Sequence, residues 1–228
     1  MKVPDSDADG RKYRGRMPEQ RQRERRTRLI EAAVAEFGTE GYRATTINAV
    51  CARAGVGKRY FYESFDGSEA LLLAAYEVVT GRIRDAIVRG AERGGTDPAA
   101  RALGMLTGYF ELIADDPPVP RIAFFEILGV SPAVDEIYRG RFQALVEVCV
   151  RALGLPPGPS GQRTVVTGLA GAMLVIAQQW VLNGYDRPLR EVVDSAHLVV
   201  SAVLDRLDDT SPAGAGPVTS PNPPELER

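Results

Sequence analysis

Lys58, Arg59 and Tyr60 stand side by side in "AGVGKRYFYESF", residues 54–65, and Phe61, Tyr62 and Phe65 follow within five positions. Two cations and neighbouring aromatics, directly after a glycine-bounded break, suit contact with a polyanion. Lys and Arg donate to guanine O6 and N7. A helix starting here would also offer its free backbone N–H groups and dipole to a phosphate oxygen. Phe61 and Phe65, four apart, fall on one helical face and are expected to pack inward. Tyr62 lies between them and can turn its hydroxyl to a sugar–phosphate backbone. The plainer alternative for Lys-Arg-Tyr is an exposed helix start that contacts nothing.

Other chemistry is hard to assemble. His197 is the only histidine, and Cys51 and Cys149 are the only cysteines. With no CxxC pair and no His/Cys cluster, neither a zinc site nor another metal or cofactor is expected. Two isolated cysteines read as small apolar residues. No Ser/His/Asp or Cys/His set and no glycine-rich phosphate loop is present, so an enzyme is disfavoured. A pair of carboxylates could still act together, but nothing singles one out.

Charge is distributed unevenly in a chain of net −2. Residues 11–66 hold 13 Lys/Arg against 7 Asp/Glu, while residues 67–228 hold 14 against 20. A basic N-terminal quarter on an acidic remainder points to two modules with different partners, the basic one facing a polyanion. Nine of those cations fall in "RKYRGRMPEQRQRERRTR", residues 11–28. That stretch is either an arm that tracks phosphates or a solvated tail.

The elements that would position these residues are all helical. Residues 1–17 read as a disordered basic arm. Pro18 suits a first helical turn, after which Leu29, Ile30, Ala33, Val34 and Phe37 recur at helical spacing. Thr45 is the expected N-cap of a second helix with Ile47, Val50, Cys51 and Ala54 inside and Gly55 at its end. A third helix is expected from about Lys58 to Phe65. "DGSE", 66–69, has the form of a capping box and opens a long helix of about 68–91. Further helices are expected at about 98–115, 118–129, 132–153, 161–183 and 188–207, separated by Gly/Pro-rich breaks. No segment shows sustained period-2 alternation, so the fold class is all-α. Residues 208–228 hold five prolines and read as a disordered tail. The domains expected are thus an arm at 1–17, a DNA-binding domain at 18–66, a ligand-binding and dimerisation domain at 67–207, and the tail.

Two short helices joined by "AGVG" make a helix–turn–helix, whose second helix enters the major groove. From about Thr27 to Leu71 the sequence resembles the TetR family of one-component transcriptional regulators. The resemblance rests on "RLIEAAVAEF", "GYRATTINAVCARAGVG" and "YFYESFDGSEALL", in order and at unbroken spacing. It implies that Thr46 and Tyr62 contact phosphates and that Lys58, Arg59 and Tyr60 read bases. Gly57 stands where the family often has a capping Ser, Arg59 where it often has Gly, and Ser68 where Lys is frequent.

Beyond residue 71 the resemblance is one of architecture. "TVVTGLAGAMLVIAQQWVL" is apolar on nearly every side and must be buried all round. Its core run Val165–Ala177 is short for a bilayer and is interrupted by Gly168 and Gly171. No apolar stretch follows the N-terminal cations as in a signal peptide. A cytoplasmic chain is expected. Helices about 161–183 and 188–207 from two copies would pair into a homodimer, as the resembled family does. Met105, Tyr109, Phe110, Phe124, Phe125, Met173, Gln178 and Trp180 could line an apolar small-molecule pocket, with Glu111, Glu126 and Arg121 orienting a polar group. Each of these could equally be core. The reading is a ligand-responsive repressor that binds a palindromic double-stranded DNA operator as a homodimer and is released by a small apolar or amphipathic effector. The link from pocket to head is inferred to be the 68–91 helix. The alternatives are a helical enzyme or a protein-binding adaptor.

Overall fold

Leu29, Ala33 and Phe37 recur every four residues, and each is at most 1% exposed. They fix one face of α1 (Gly10–Thr39) on the core. The computed structural model describes the backbone of residues 10–154 and 160–209 and the side chains of 19–154 and 163–206. The helix begins at Gly10, not at Pro18. Pro18 costs the helix interior one hydrogen bond and crowds the carbonyl four residues earlier, and the surrounding Arg, Lys, Gln and Glu residues are good helix formers that offset this. The expected disordered arm is therefore helical over residues 10–17; residues 1–9 lie outside the described residues.

α2 (Ile47–Ala54) starts one residue later than expected. Thr46, with extended backbone, is the N-cap, and its hydroxyl oxygen accepts the Ala49 N–H at 3.1 Å. Thr45 instead donates to the Gly41 carbonyl at 2.7 Å. Gly55 takes the left-handed conformation (φ 61°), so that its own N–H reaches Ala52 O and the Val56 N–H reaches Cys51 O. α3 (Lys58–Tyr62) is shorter than expected. The chain continues as a turn in which Phe65 N–H donates to Phe61 O at 2.9 Å. That returns the Phe65 ring to within 5.7 Å of the Phe61 ring.

α4 (Ser68–Arg93) runs from this head into the distal domain, burying Leu71, Leu72, Ala75, Val79, Ile83 and Ile87. The expected capping box does not form. Gly67 is the N-cap, and Glu69 accepts from Ser131 Oγ at 3.0 Å. α5 (Pro98–Asp115), capped by Asp97, packs closely on α4. A Cβ placed on Gly90 would lie 2.1 Å from the Gly104 carbonyl oxygen, and one on Gly108 would lie 2.5 Å from that of Ala86. Only glycine permits these backbones to touch.

The helix expected at 118–129 is divided. α6 (Pro118–Arg121) passes directly into a π-helical turn, Ile122–Glu126, and Gly129 (φ 66°) ends the segment. α7 (Pro132–Leu153), capped by Ser131, lies against α4. α8 (Ser160–Leu182) and α9 (Leu189–Asp209) complete the domain. Among the described residues every regular element is helical. The tail expected from 208 lies outside the described residues from 210 onward.

α8 departs from its expected burial. Val166, Met173, Ala177 and Trp180 are buried along one side, but Val175 is 54% and Leu182 63% exposed. Arg163–Leu182 also forms a 20-residue stretch long and apolar enough, by length and composition, to cross a membrane. The sequence reading counted only the core of that run. A helix apolar all round has been covered by its own chain on one side only.

Candidate nucleic-acid interface and apolar cavity

The three-helix head separates its side chains by character. Phe61 is 0% exposed and Phe65 5%, packed with Leu29, Phe37, Val50 and Leu71. Lys58, Arg59, Tyr60 and Tyr62 are exposed on the other side of α3, and Thr46 is exposed at the start of α2. Phe61 is the one buried side chain of α3, and the turn that follows brings Phe65 in beside it, which leaves Lys58, Arg59, Tyr60 and Tyr62 on the outside. Gly57 caps α3 with extended backbone and no side-chain bond.

Local contacts prepare this surface. Arg59 Nε donates to Glu63 Oε1 at 3.1 Å, an exposed i,i+4 pair. Such pairs contribute under about 1 kcal/mol and exchange readily for other partners. The Arg25 guanidinium sits 4.3 Å from the Tyr60 ring centre, and that of Arg26 4.4 Å from the Phe65 ring centre. These cation–π contacts bring the basic part of α1 alongside α3. The sequence held both partners, but not their register. Arg53 pairs with Glu36 at 2.6 Å and ties α2 to α1. Behind them Cys51 is buried, and burial raises its thiol pKa, against a lowering influence from Lys58.

The distal domain holds a partly open apolar cavity of about 190 Å³ between α4, α5, the π turn, α7, α8 and α9. Of the expected pocket residues, Met105, Tyr109, Phe124 and Met173 line it. Phe110, Phe125, Gln178 and Trp180 do not. Phe110 is fully buried and stacks edge-on to Trp180, whose Nε1–H donates to Arg187 O at 2.9 Å. Gln178 Nε2 donates to the Phe124 carbonyl at 3.4 Å. Sequence reasoning missed the α4 and α7 walls: Tyr76, Thr80 and Ile83 on one side, Tyr138, Phe142, Leu145 and Cys149 on the other. The signal was the spacing of the α7 residues (138, 142, 145 and 149), a helical stripe on a segment with no evident packing partner.

Burial raises the Tyr109 phenol pKa strongly, with smaller contributions from Cys149 and Tyr138. Burial also pushes the Cys149 thiol up to about 11. The cavity floor is therefore uncharged at neutral pH. Charge appears at the rim, where Arg141 and Glu77, both about half exposed, form an ion pair and Arg84 pairs with Asp85. Of the polar candidates, Glu111 pairs with Arg93 at 3.7 Å, and Arg121 and Glu126 line no part of the cavity. No group of three or more metal-ligating side chains occurs among the described residues.

The family model for bacterial regulatory proteins of the tetR family matches residues 29–75. The HTH-type transcriptional activator FasR of Mycolicibacterium smegmatis is 27% identical over 184 residues, covering 80% of this chain and 81% of FasR. The fatty acid degradation regulator FadR of Bacillus halodurans has the same fold, with a TM-score of 0.63 at 19% identity over 77% of this chain and 93% of its own. So does Bacillus subtilis FadR in complex with stearoyl-CoA, with a TM-score of 0.59 at 15% identity over 76% and 96%. The head, residues 29–75, is thus of the type found in bacterial regulatory proteins of the tetR family, and it stands on a chain with the helical fold of the FadR regulators.

Proposed function

We propose that the protein is a ligand-responsive repressor that binds a palindromic operator as a homodimer and is released by a small amphipathic effector. The observation that carries this reading is the sorting of α3: Lys58, Arg59, Tyr60 and Tyr62 exposed, Phe61 and Phe65 buried behind them. Lys58, Arg59 and Tyr60 read base edges, and Thr46 and Tyr62 hold phosphates. The Thr46 oxygen accepts the Ala49 N–H, so its hydroxyl proton remains able to donate to a phosphate. The second copy binds through α8 and α9, where Val175, Leu182, Leu198 and Val199 stand exposed. Two heads then meet half-sites about 34–36 Å apart. In that role the chain works in the cytoplasm.

The cavity supports an effector with an apolar chain and a polar or anionic head. Its walls are aliphatic and aromatic, and its rim carries Arg141 and Arg84. A regulator of the same fold holds stearoyl-CoA, which fits that division of character. An activator is the second reading, favoured by the activator FasR among the relatives. The test is duplex binding across a salt series. Affinity should fall linearly on a log–log plot, with a slope near −0.9 per phosphate contacted. Absence of duplex binding at about 50 mM salt would contradict the reading. Transcription in vitro from an operator-bearing promoter separates repression from activation.

A further inference from the structure

Arg121 and Glu126 bracket the π-helical turn and face the reading head. Arg121 donates from Nε to Glu126 Oε1 at 3.2 Å and from Nη1 to the Thr39 carbonyl. Glu126 Oε2 accepts the Tyr42 backbone N–H at 2.8 Å, across 84 residues of sequence. Thr39 is the last residue of α1, and Tyr42 lies in the loop that leads to α2. The two side chains thus clamp the α1–α2 connection by its backbone.

The head is shaped to receive this clamp. A Cβ on Gly38 would lie 2.4 Å from Pro118 Cβ. Gly41, at φ 93°, would place one 3.0 Å from both the Arg121 guanidinium and the Glu126 carboxylate. Glycine at both positions lets α6 and the π turn lie directly on the head.

The same turn is a cavity wall. Ala123 and Phe124, between the two clamp residues, line the cavity. One turn of backbone therefore meets the cavity on one side and the head on the other. π turns carry one residue more than an α turn and are frequent at functional sites. A body that displaces Phe124 must move the backbone that carries Glu126.

We propose that Arg121 and Glu126 are positioning residues that transmit occupancy of the cavity to the DNA-reading head. An occupant pressing on Ala123 and Phe124 shifts the π turn, parts Glu126 from the Tyr42 N–H, and releases α2 and α3 from their operator-competent placement. Coupling arises because the occupant binds the released arrangement better than the clamped one. The role of a natural effector rests on the reading of the cavity given above. The clamp itself is defined without a ligand.

The test is a double-substitution cycle read by operator affinity. The operator is a duplex selected from a random pool. Leu145→Trp fills the cavity from α7 as a fixed occupant, and Glu126→Ala removes the clamp. Leu145→Trp is expected to weaken operator binding about tenfold or more, and by less than about twofold when Glu126→Ala is also present. Glu126→Gln keeps an acceptor for the Tyr42 N–H and should restore most of the response. Amide exchange over residues 39–45 should quicken in both single variants. Should Leu145→Trp fail to fold, Ala123→Leu adds bulk from the turn itself and is read in the same way. A filling effect of equal size with and without Glu126 would overturn the proposal, as would filled variants that bind the operator like the parent chain. Stearoyl-CoA added to the unsubstituted protein forms a separate arm. Failure there, with the cycle intact, rejects the acyl effector and upholds the clamp.

Discussion

Two helix pairs in the distal domain treat their glycines in opposite ways. Between α4 and α5, Gly90, Gly104 and Gly108 bring backbones into contact, and a Cβ at any of them would strike a neighbouring main chain. On α8, Gly168 and Gly171 meet nothing within 4 Å. α9 likewise leaves Leu198 71% exposed. The α4–α5 seam is completed within one chain, whereas the outer face of α8 and α9 is complete only when something else covers it. Apolar surface of that kind suits the second copy proposed above.

Substitutions break or sharpen this contrast. Gly104→Ala should destabilise the chain by about 3 kcal/mol, the upper end of ordinary overpacking, even though helix propensity favours Ala. Gly168→Ala should leave chain stability within about 1 kcal/mol or raise it. Urea unfolding of the two variants decides between them, and equal losses would erase the distinction. Val175→Glu puts a charge on the uncovered face. It should raise the dimer dissociation constant about 100-fold by sedimentation, near 3 kcal/mol, with little change in helix content.

If two heads act together, a head substitution counts twice. Arg59→Ala should relax sequence preference by about 1–3 kcal/mol per half-site, measured as the ratio of affinities for cognate and altered duplexes. Tyr62→Phe should weaken all duplexes alike. Thr46→Ala removes the α2 cap and should cost about 1 kcal/mol of stability.

A further effect, absent at neutral pH, is expected under alkaline conditions. The Cys149 thiol titrates ordinarily near 9.0 and in the folded chain near 11, so the unfolded chain loses its proton first. The stability from burying the neutral thiol is full below pH 9 and is lost as pH rises through about 11. Cys149→Ala should flatten that part of the pH profile in urea titrations.

Much of the architecture was legible because local rules and packing agree. Asp97-Pro98 and Ser131-Pro132 each join an N-cap to a proline at the first helical position, and α5 and α7 begin there. The inward packing of Phe61 and Phe65 followed from their spacing, and the outward position of Lys58, Arg59, Tyr60 and Tyr62 from the helix–turn–helix pattern. Two local expectations failed for different reasons. Thr46 took the cap while Thr45 turned back to the Gly41 carbonyl, both local bonds, whereas Glu69 left its capping box for a distant partner, Ser131. The cavity was half legible. Met105, Tyr109, Phe124 and Met173 advertise it, but a wall exists only where helices distant in sequence leave a gap. Nothing in α7 says which helix its stripe will face. The clamp was least visible, since Arg121 and Glu126 bond to backbone groups more than 80 residues away.

The most direct test of the central claim is the pattern of the duplexes that the purified chain enriches from a random pool, together with the number of chains on each. The expected result is an inverted repeat with half-site centres about one helical turn, or a multiple of it, apart. It should be bound by paired copies, and Lys58→Ala with Arg59→Ala should abolish the enrichment. A pool that stays random, or an enrichment that survives loss of both cations, would contradict the account.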